Sequence, residues 1–573
     1  MKKKIFLILY FTLFILYCTA QTNVSGFINA NTTWDLAGSP YIVVGNTLLS
    51  PGYTLTIEPG VIVKFDSAKV LQIDGELHAV GTSLHRITFT SNQPIPAAGD
   101  WGKIQFSDAS VDAVYNANAN YLSGSIMKFC DVLYGGGIGF GTIHIKLSSP
   151  YISNCSIVNS DLDGIYCDGA TIRIDSSLVN NCLGFGLSFQ GASNAFCNMS
   201  LKYDTISNNS AGGIYFNQSN TSCNSIPMIL IGNIFMNNSN EGAVAIVNSN
   251  QNIIISDNYF ESNTAQWYHH GGAIGIVWIE NYQIKCNRFI SNHSIDLGSH
   301  NGGAVYLGTF GNINSFLQNN IFENNSSTFG AASLYIDIAN DNTHEITNNI
   351  FRGNSSPAGP CIKLIGSPSV TVPFNIISNE FSNNLSDTII YIETLGTPDV
   401  NKSLLHISQN NFLNPNCQYE LFNRSPYGGH NLNADSNYWG TTSITHIDSV
   451  IYDFFDDANQ SVIFYSPILT STYVIDTVCP VIATAIYSVG EESFFNYNIF
   501  PNPFTTTTTL AFGKEVHNAI LSFYNLLGEK VLTFLGINGK RISINRENLG
   551  RGIYIFEVTE GEKRILIGKA IVY

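Results

Sequence analysis

Charge is scarce in this chain: Asp, Glu, Lys and Arg make up only 12% of 573 residues, and acids outnumber bases to give a formal net charge of −16. An acidic, weakly charged surface excludes nucleic acid as a natural partner. Long apolar runs are missing too. Beyond the first twenty residues no stretch approaches the roughly 18 consecutive apolar residues that a membrane-spanning helix needs. The 11 cysteines include no Cys-x-x-Cys pair, so a structural zinc site has no support. With so few charges, solubility must come from uncharged polar side chains, and Asn and Ser are abundant.

The N-terminus is a leader. Lys2, Lys3 and Lys4 precede an apolar run from Ile5 to Tyr17, and small residues end at Ala20, the pattern of a secretory signal peptide. Cys18 invites lipidation, but Tyr17 stands where a lipid-attachment motif needs a small residue, so cleavage is expected near Ala20–Gln21. The mature chain is then expected to be soluble and to meet an oxidising compartment.

Internal repetition dominates the middle of the chain. Asn-x-Phe-x-x-Asn occurs at Asn233/Phe235/Asn238, Asn258/Phe260/Asn263, Asn287/Phe289/Asn292, Asn320/Phe322/Asn325, Asn349/Phe351/Asn354 and Asn379/Phe381/Asn384. Looser copies centre on Ile157, Leu178, Ile206 and Phe412, and successive anchors lie 21 to 33 residues apart. Most anchors are followed by a Gly/Ala element and an alternating strand, as in Gly302-Gly303-Ala304-Val305-Tyr306-Leu307. Short alternating strands cannot bury an apolar face alone. Stacked as coils they can, with parallel strands about 4.8 Å apart. The expected inward ladder is Cys167, Phe189, Phe216, Ile246, Ile276, Leu307, Ile336 and Leu364. The Asn positions are expected to form a second ladder at the turns, because Asn tolerates left-handed backbone and satisfies turn groups locally. Propeller blades repeat at about 40 residues and leucine-rich repeats carry a Leu-x-x-Leu-x-Leu frame, so neither fits. The fold class read here is all-β: a right-handed parallel β-helix followed by a small antiparallel β-sandwich.

Two segments resemble the ends of bacterial right-handed parallel β-helix repeat proteins. Gly52 to Phe65, with Leu71, Ile73, Gly75, Leu77, Gly81-Thr82 and Trp101-Gly102, resembles their opening coils; Asn437-Tyr438-Trp439-Gly440 running to Tyr465-Ser466-Pro467 resembles their closing motif. A solenoid end needs a cap for its unpaired strands, so Trp439 reads as a core plug. The domain boundaries are then a leader at 1–20, an opening cap and first coils at 21–125, the β-helix at 126–468 with its closing cap at 437–467, a connector at 469–490 and a C-terminal module at 491–573.

That last module has its own motifs. Tyr497-Asn498-Ile499-Phe500-Pro501-Asn502-Pro503, Leu521 to Val531 with Gly528, Leu549-Gly550-Arg551-Gly552-Ile553-Tyr554 and Lys569-Ala570-Ile571-Val572-Tyr573 resemble a type IX secretion sorting domain of type A. The resemblance implies that the type IX machinery is a partner, that the chain crosses the outer membrane and loses this domain, and that the product is released or attached to surface lipopolysaccharide.

Chemistry is harder to find. Among cysteines, Cys197 and Cys223 fall on equivalent loops of neighbouring coils and are the expected disulfide; Cys167 reads as a buried thiol. Asp161, Asp163 and Asp168 form the best acidic group and are weak catalytic candidates, since Asp before Gly also suits an ordinary turn. His269, His270 and His300 precede Gly-Gly elements of neighbouring coils, with Trp267 nearby. Small residues at Ala245 and Gly275 between Tyr215 and Tyr306 suggest a depression with aromatic rims. Those six residues (Tyr215, Trp267, His269, His270, His300 and Tyr306) are the candidate ligand-binding set, suited to sugar rings. No metal site is expected, and no cofactor, calcium being the one ion that catalysis by a β-helix of this kind would call for. The leading functional reading is a non-catalytic glycan-binding or adhesin-like surface protein. A polysaccharide lyase or glycoside hydrolase is the rival, to be favoured by a carboxylate or Lys/Arg cluster from adjacent coils; a structural spacer is the third.

Overall fold

In the computed structural model the described residues are 21–572 except 118, 191–197, 218–226, 248–251, 267–269, 280, 296–300, 310–314, 341–343, 369–373, 394–404, 426–430, 477–478, 480–496, 503, 525–529, 547–548 and 562. The chain divides into two compact units, Met1–Val478 and Cys479–Tyr573.

The first unit is a parallel β-solenoid of about 12 turns. A regular coil supplies three short strands, for example Met228–Ile231, Ile234–Met236 and Val244–Val247. Each pairs in parallel with its counterpart one coil on: Ile229↔Ile254, Phe235↔Phe260 and Ile246↔Ile276. The expected inward ladder runs without a slip from Cys167 through Phe189, Phe216, Ile246, Ile276, Leu307 and Ile336 to Leu364. Phenylalanines of the Asn-x-Phe repeat stack in a second inward column. Phe235, Phe260, Phe289, Phe322, Phe351, Phe381 and Phe412 succeed one another with ring centroids 4.6 to 5.3 Å apart. Trp439 closes that column 4.8 Å above Phe412, its side chain buried in the core.

Two columns of buried asparagine hold the corners. One runs Asn233, Asn258, Asn287, Asn320, Asn349, Asn379, Asn410, Asn437; the other runs Asn209, Asn238, Asn263, Asn292, Asn325, Asn354, Asn384, Asn414. From the second rung of each column on, each side-chain oxygen accepts from the backbone N–H and the amide of the preceding rung, as at Asn292, 3.1 Å from Asn263 N and 3.0 Å from its Nδ2. Each amide also donates to a carbonyl of the coil before, Asn292 Nδ2 to Phe260 O at 3.0 Å. Every polar atom of the buried amide is thus used, as burial demands. These asparagines are not themselves in the left-handed region, contrary to expectation. The residue just before every rung except Asn414 is: Ser262 (φ 55), Ser291 (φ 52) and Asn324 (φ 55) on one column, Asp257 (φ 59) and Asn319 (φ 57) on the other. The left-handed step turns the chain through the corner, and the next residue then points inward. Glu420 terminates the second column, accepting from Asn414 Nδ2 at 2.9 Å, its carboxyl pushed up to about 7 by burial.

The second unit is a five-stranded antiparallel sheet with strands Tyr497–Phe500, Thr507–Tyr524, Lys530–Asn545, Gly552–Glu560 and Lys563–Val572. Register shifts between Ala511 and Val516 and again near Ala519 bend the longest strand. Leu510, Leu521, Phe523, Phe556 and Val558 are fully buried, so the sheet folds over a core of its own.

Candidate functional site

Side chains that face outward on the strand after the Gly/Ala element form one row, because parallel pairing keeps every second residue on the same face. Its register runs Tyr166, Ser188, Tyr215, Ala245, Gly275, Tyr306, Tyr335, Lys363, Tyr391, Phe422, Tyr452.

The middle of this row is closed by the protein itself. A Cβ on Gly275 would meet His270 at 3.2 to 3.3 Å. The depression expected between Tyr215 and Tyr306 is therefore filled by His270, which lies 3.1 Å from Glu241 and is nearly buried. Burial pushes the Glu241 carboxyl up to about 7. Tyr306, expected to form a rim, is only 2% exposed and packs with Ala331, Tyr335 and Ile365 in a small apolar cluster outside the main core. The reason is steric: Ala331 of the next coil packs against Tyr306, and the His270–Gly271 backbone comes within 3.2 to 3.3 Å of where a side chain at Gly275 would begin. Tyr215 stacks on Phe185 at 5.0 Å. Trp267, His269 and His300 lie outside the described residues, as do Cys197 and Cys223.

The three aspartates do not converge. Asp163 braces two coils: one oxygen accepts from Phe185 N at 2.8 Å and the other from the Ser188 hydroxyl, and burial raises its carboxyl to about 6. The cross-coil partner that the sequence did not reveal is thus a backbone N–H and a serine. Asp161 packs against Gly99, and Asp168 stands in register with Lys146 and Gln190. Beside them His144 lies 3.1 Å from Lys103, and burial followed by that ammonium depresses its ring to about 4, so it is neutral. Phe140 covers this corner, stacked on Tyr166 at 4.6 Å. Among the described residues no three His, Cys, Asp or Glu side chains come together as a metal site would require.

The open end of the row begins two coils beyond Tyr306. Lys363, Tyr391 and Phe422 occupy successive coils. The Lys363 ammonium sits 5.5 Å from the Tyr335 ring and 5.6 Å from the Tyr391 ring, a cation held between two aromatic faces. Burial lowers the Lys363 pKa, with Glu393 opposing. The Tyr391 hydroxyl donates to Glu393 at 3.1 Å and accepts from Arg424 at 3.3 Å. Phe422 stacks on Tyr391 at 5.4 Å and under Tyr452 at 4.2 Å, with Tyr419 edge-on to both Phe422 and Tyr452. Lys363, Tyr391, Glu393, Phe422 and Tyr452 are part-exposed and Arg424 is exposed. Because the rings face one another, they present edges and hydroxyls outward rather than flat faces. The signal was available in the sequence, since Lys363 immediately precedes Leu364, the last residue of the inward ladder.

In the C-terminal unit, Pro501 and Asn502 come directly after the first strand, Gly552 opens the strand that carries Tyr554, and the Tyr554 hydroxyl donates to Gly550 O at 3.0 Å. Lys569 pairs with Ile555 across the last two strands; Pro503 and Gly528 lie outside the described residues.

Comparison with known proteins identifies this unit. Residues 498–573 match the family model described as a secretion system C-terminal sorting domain. No curated protein matches the chain. Among solved structures, a mannuronic acid specific polysaccharide family 6 lyase from human gut microbiota is 13% identical, with 73% of this chain and 87% of that one covered and a TM-score of 0.29. A tailspike protein double mutant of E. coli bacteriophage HK620 is 10% identical, covering 91% and 86%, with a TM-score of 0.30. Tailspike protein 2 of bacteriophage CBA120 is 11% identical, covering 89% and 72%, with a TM-score of 0.22. The chain is a parallel β-solenoid carrying a type IX secretion sorting domain, and hence an exported protein that is secreted or held at the cell surface.

Proposed function

We propose that the solenoid binds an extended glycan across the outward row of its last coils, with Lys363, Tyr391 and Arg424 as the main contacts. The single observation that carries this reading is the assembly of Lys363, Tyr391, Glu393 and Arg424 from three successive coils on one open face. A ligand that repeats along its length suits a surface that repeats along its own. Tyrosine edges, a carboxylate and two cations offer hydrogen bonds to sugar hydroxyls and charge to acidic sugars, whereas mutually stacked rings leave little flat aromatic surface for a sugar face. Affinity electrophoresis of the full chain in gels containing acidic or neutral polysaccharides tests it. The wild type is retarded by at least one polysaccharide, and Lys363→Ala or Arg424→Ala weakens retention about tenfold, the equivalent of one charge-assisted hydrogen bond. Retention that survives the double substitution unchanged contradicts the assignment.

The same constellation favours a second reading, cleavage of that glycan, because a carboxylate, a tyrosine and Lys/Arg groups from adjacent coils are the equipment that acid–base chemistry on a polysaccharide uses. Product analysis separates the two: new reducing ends or unsaturated uronate ends that vanish in Tyr391→Phe establish cleavage, and an intact polymer after long incubation leaves binding.

A further inference from the structure

We propose that Cys130 and Cys155 close a disulfide between two successive coils of the exported protein. Parallel register brackets the pair on both sides, with Lys128 opposite Ser153 and Asp131 opposite Ser156, so Cys130 lies directly across from Cys155. Adjacent coils are about 4.8 Å apart, within the Cα separation that a disulfide spans. Each cysteine comes right after a left-handed residue, Phe129 (φ 50) and Asn154 (φ 53), so both side chains leave the corner in the same inward direction. Both are buried.

The position explains why a covalent rung belongs there. Cys155 N donates to Ser177 Oγ at 3.1 Å, Ser177 N to Asp204 Oδ1 at 2.7 Å, and Asp204 N to Asn233 Oδ1 at 2.9 Å, so the two cysteines continue the first asparagine column toward the N-terminus. As thiols they make poor rungs. Cys155 Sγ reaches Met127 O at 3.4 Å, the slot an amide fills elsewhere, but a thiol is a weak donor and a weak acceptor. Oxidation replaces a weak contact by a bond where the amide ladder is missing. The compartment permits it, and disulfide bonding is already used in the solenoid at Cys286. Cys182, by contrast, faces Asn209 in its column and has no thiol on the next rung.

The chemistry is thiol–disulfide exchange with a protein or small-molecule disulfide as oxidant. One cysteine thiolate attacks the oxidant and expels a thiolate, leaving a mixed disulfide. The second thiolate attacks the cysteine sulfur of that mixed disulfide and expels the other half. Two protein thiols give up two protons and two electrons, and the oxidant leaves as two thiols. Since burial pushes the Cys130 thiol well up, exchange belongs to the stage before the coils close.

The test is peptide mapping of the full exported chain, denatured and alkylated without reduction, then cut with trypsin. Cleavage after Lys128, Lys146 and Arg173 puts Cys130 on one peptide and Cys155, with Cys167, on the next. The expected result is a linked pair, lighter by two hydrogen atoms than the separate peptides, whose fragmentation between Ser156 and Cys167 places the bridge on Cys155. Alkylated Cys130 and Cys155 in the unreduced protein overturn the proposal. A Cys130→Ala/Cys155→Ala variant supplies an independent measure: its loss of thermal stability on adding reductant is smaller than the wild type's, and an equal loss also overturns it.

Discussion

The two halves of the solenoid solve the same corner in different ways. From Asn209 and Asn233 onward, each coil repeats an asparagine, a phenylalanine and a second asparagine. Before them, the first column is Cys130, Cys155, Ser177 and Asp204, the second passes through Ser160 and Cys182, and the phenylalanine column is replaced by Val132, Ile157, Val179 and Ile206. Register is nonetheless continuous through both halves. Parallel strand pairing and inward packing are therefore sufficient to wind the chain, and the amide column adds something else. It satisfies every corner donor and acceptor identically, and so holds successive coils in the even spacing that lines up Lys363, Tyr391 and Arg424. In solenoid terms the regular half gains in nearest-neighbour coupling.

Substitutions can sharpen this contrast. The largest expected effect is from Asn292→Ala, which removes the acceptor of Asn263 N and Nδ2 and the donor to Phe260 O. With three buried groups orphaned at about 1–3 kcal/mol each, urea unfolding should show a loss of about 3–9 kcal/mol. The matching change in the irregular half, Ser177→Ala, orphans chiefly Cys155 N–H and should cost about 1–3 kcal/mol. Equal losses would remove the distinction between the halves. Next, Phe289→Ala takes one ring out of a continuous stack and should cost about 3–5 kcal/mol, with hydrogen exchange accelerated in the coils on either side.

The smallest and most diagnostic effect concerns Asp204, a carboxyl standing where the later coils carry an amide. It is fully buried, and burial raises its pKa well above the ordinary carboxylate value. A raised folded-state pKa means that its stabilising contribution is complete below the unfolded value and is lost as pH rises through the folded one. Asp204→Asn supplies the amide without that loss. Melting curves against pH should show the variant above the wild type, with a gap that widens toward alkaline pH; a gap that is constant or reversed would mean that Asp204 is not protonated in the folded protein.

The interior of this fold was legible because its period is rigid. Inward residues from Cys167 to Leu364 could be named from spacing alone, since each coil returns an apolar side chain to the same place, and the asparagine columns came from the same repeat. Asn325, Asn354 and Asn384 also carry the Asn-x-Ser pattern of glycosylation acceptors, but at 0%, 0% and 1% exposure they serve the ladder instead. The left-handed residue was placed one position too late, because it is variously Ser, Asp, Asn, Gly, Cys, Tyr or Gln and has no signature of its own. The outer face was harder. Whether Gly275 opens a groove depends on what the preceding segment does, and His270 covers it. Lys363, Tyr391 and Arg424 each look ordinary in sequence and form a group only when three coils are counted in register.

The most direct test of the account is the structure of the full chain bound to an oligosaccharide of whichever glycan it retains. Sugar density crossing the coils of Lys363, Tyr391 and Phe422, with the Arg424 guanidinium in contact, is the expected result. Density seated instead over Tyr166 and His144, or against the antiparallel sheet of the C-terminal unit, would contradict it.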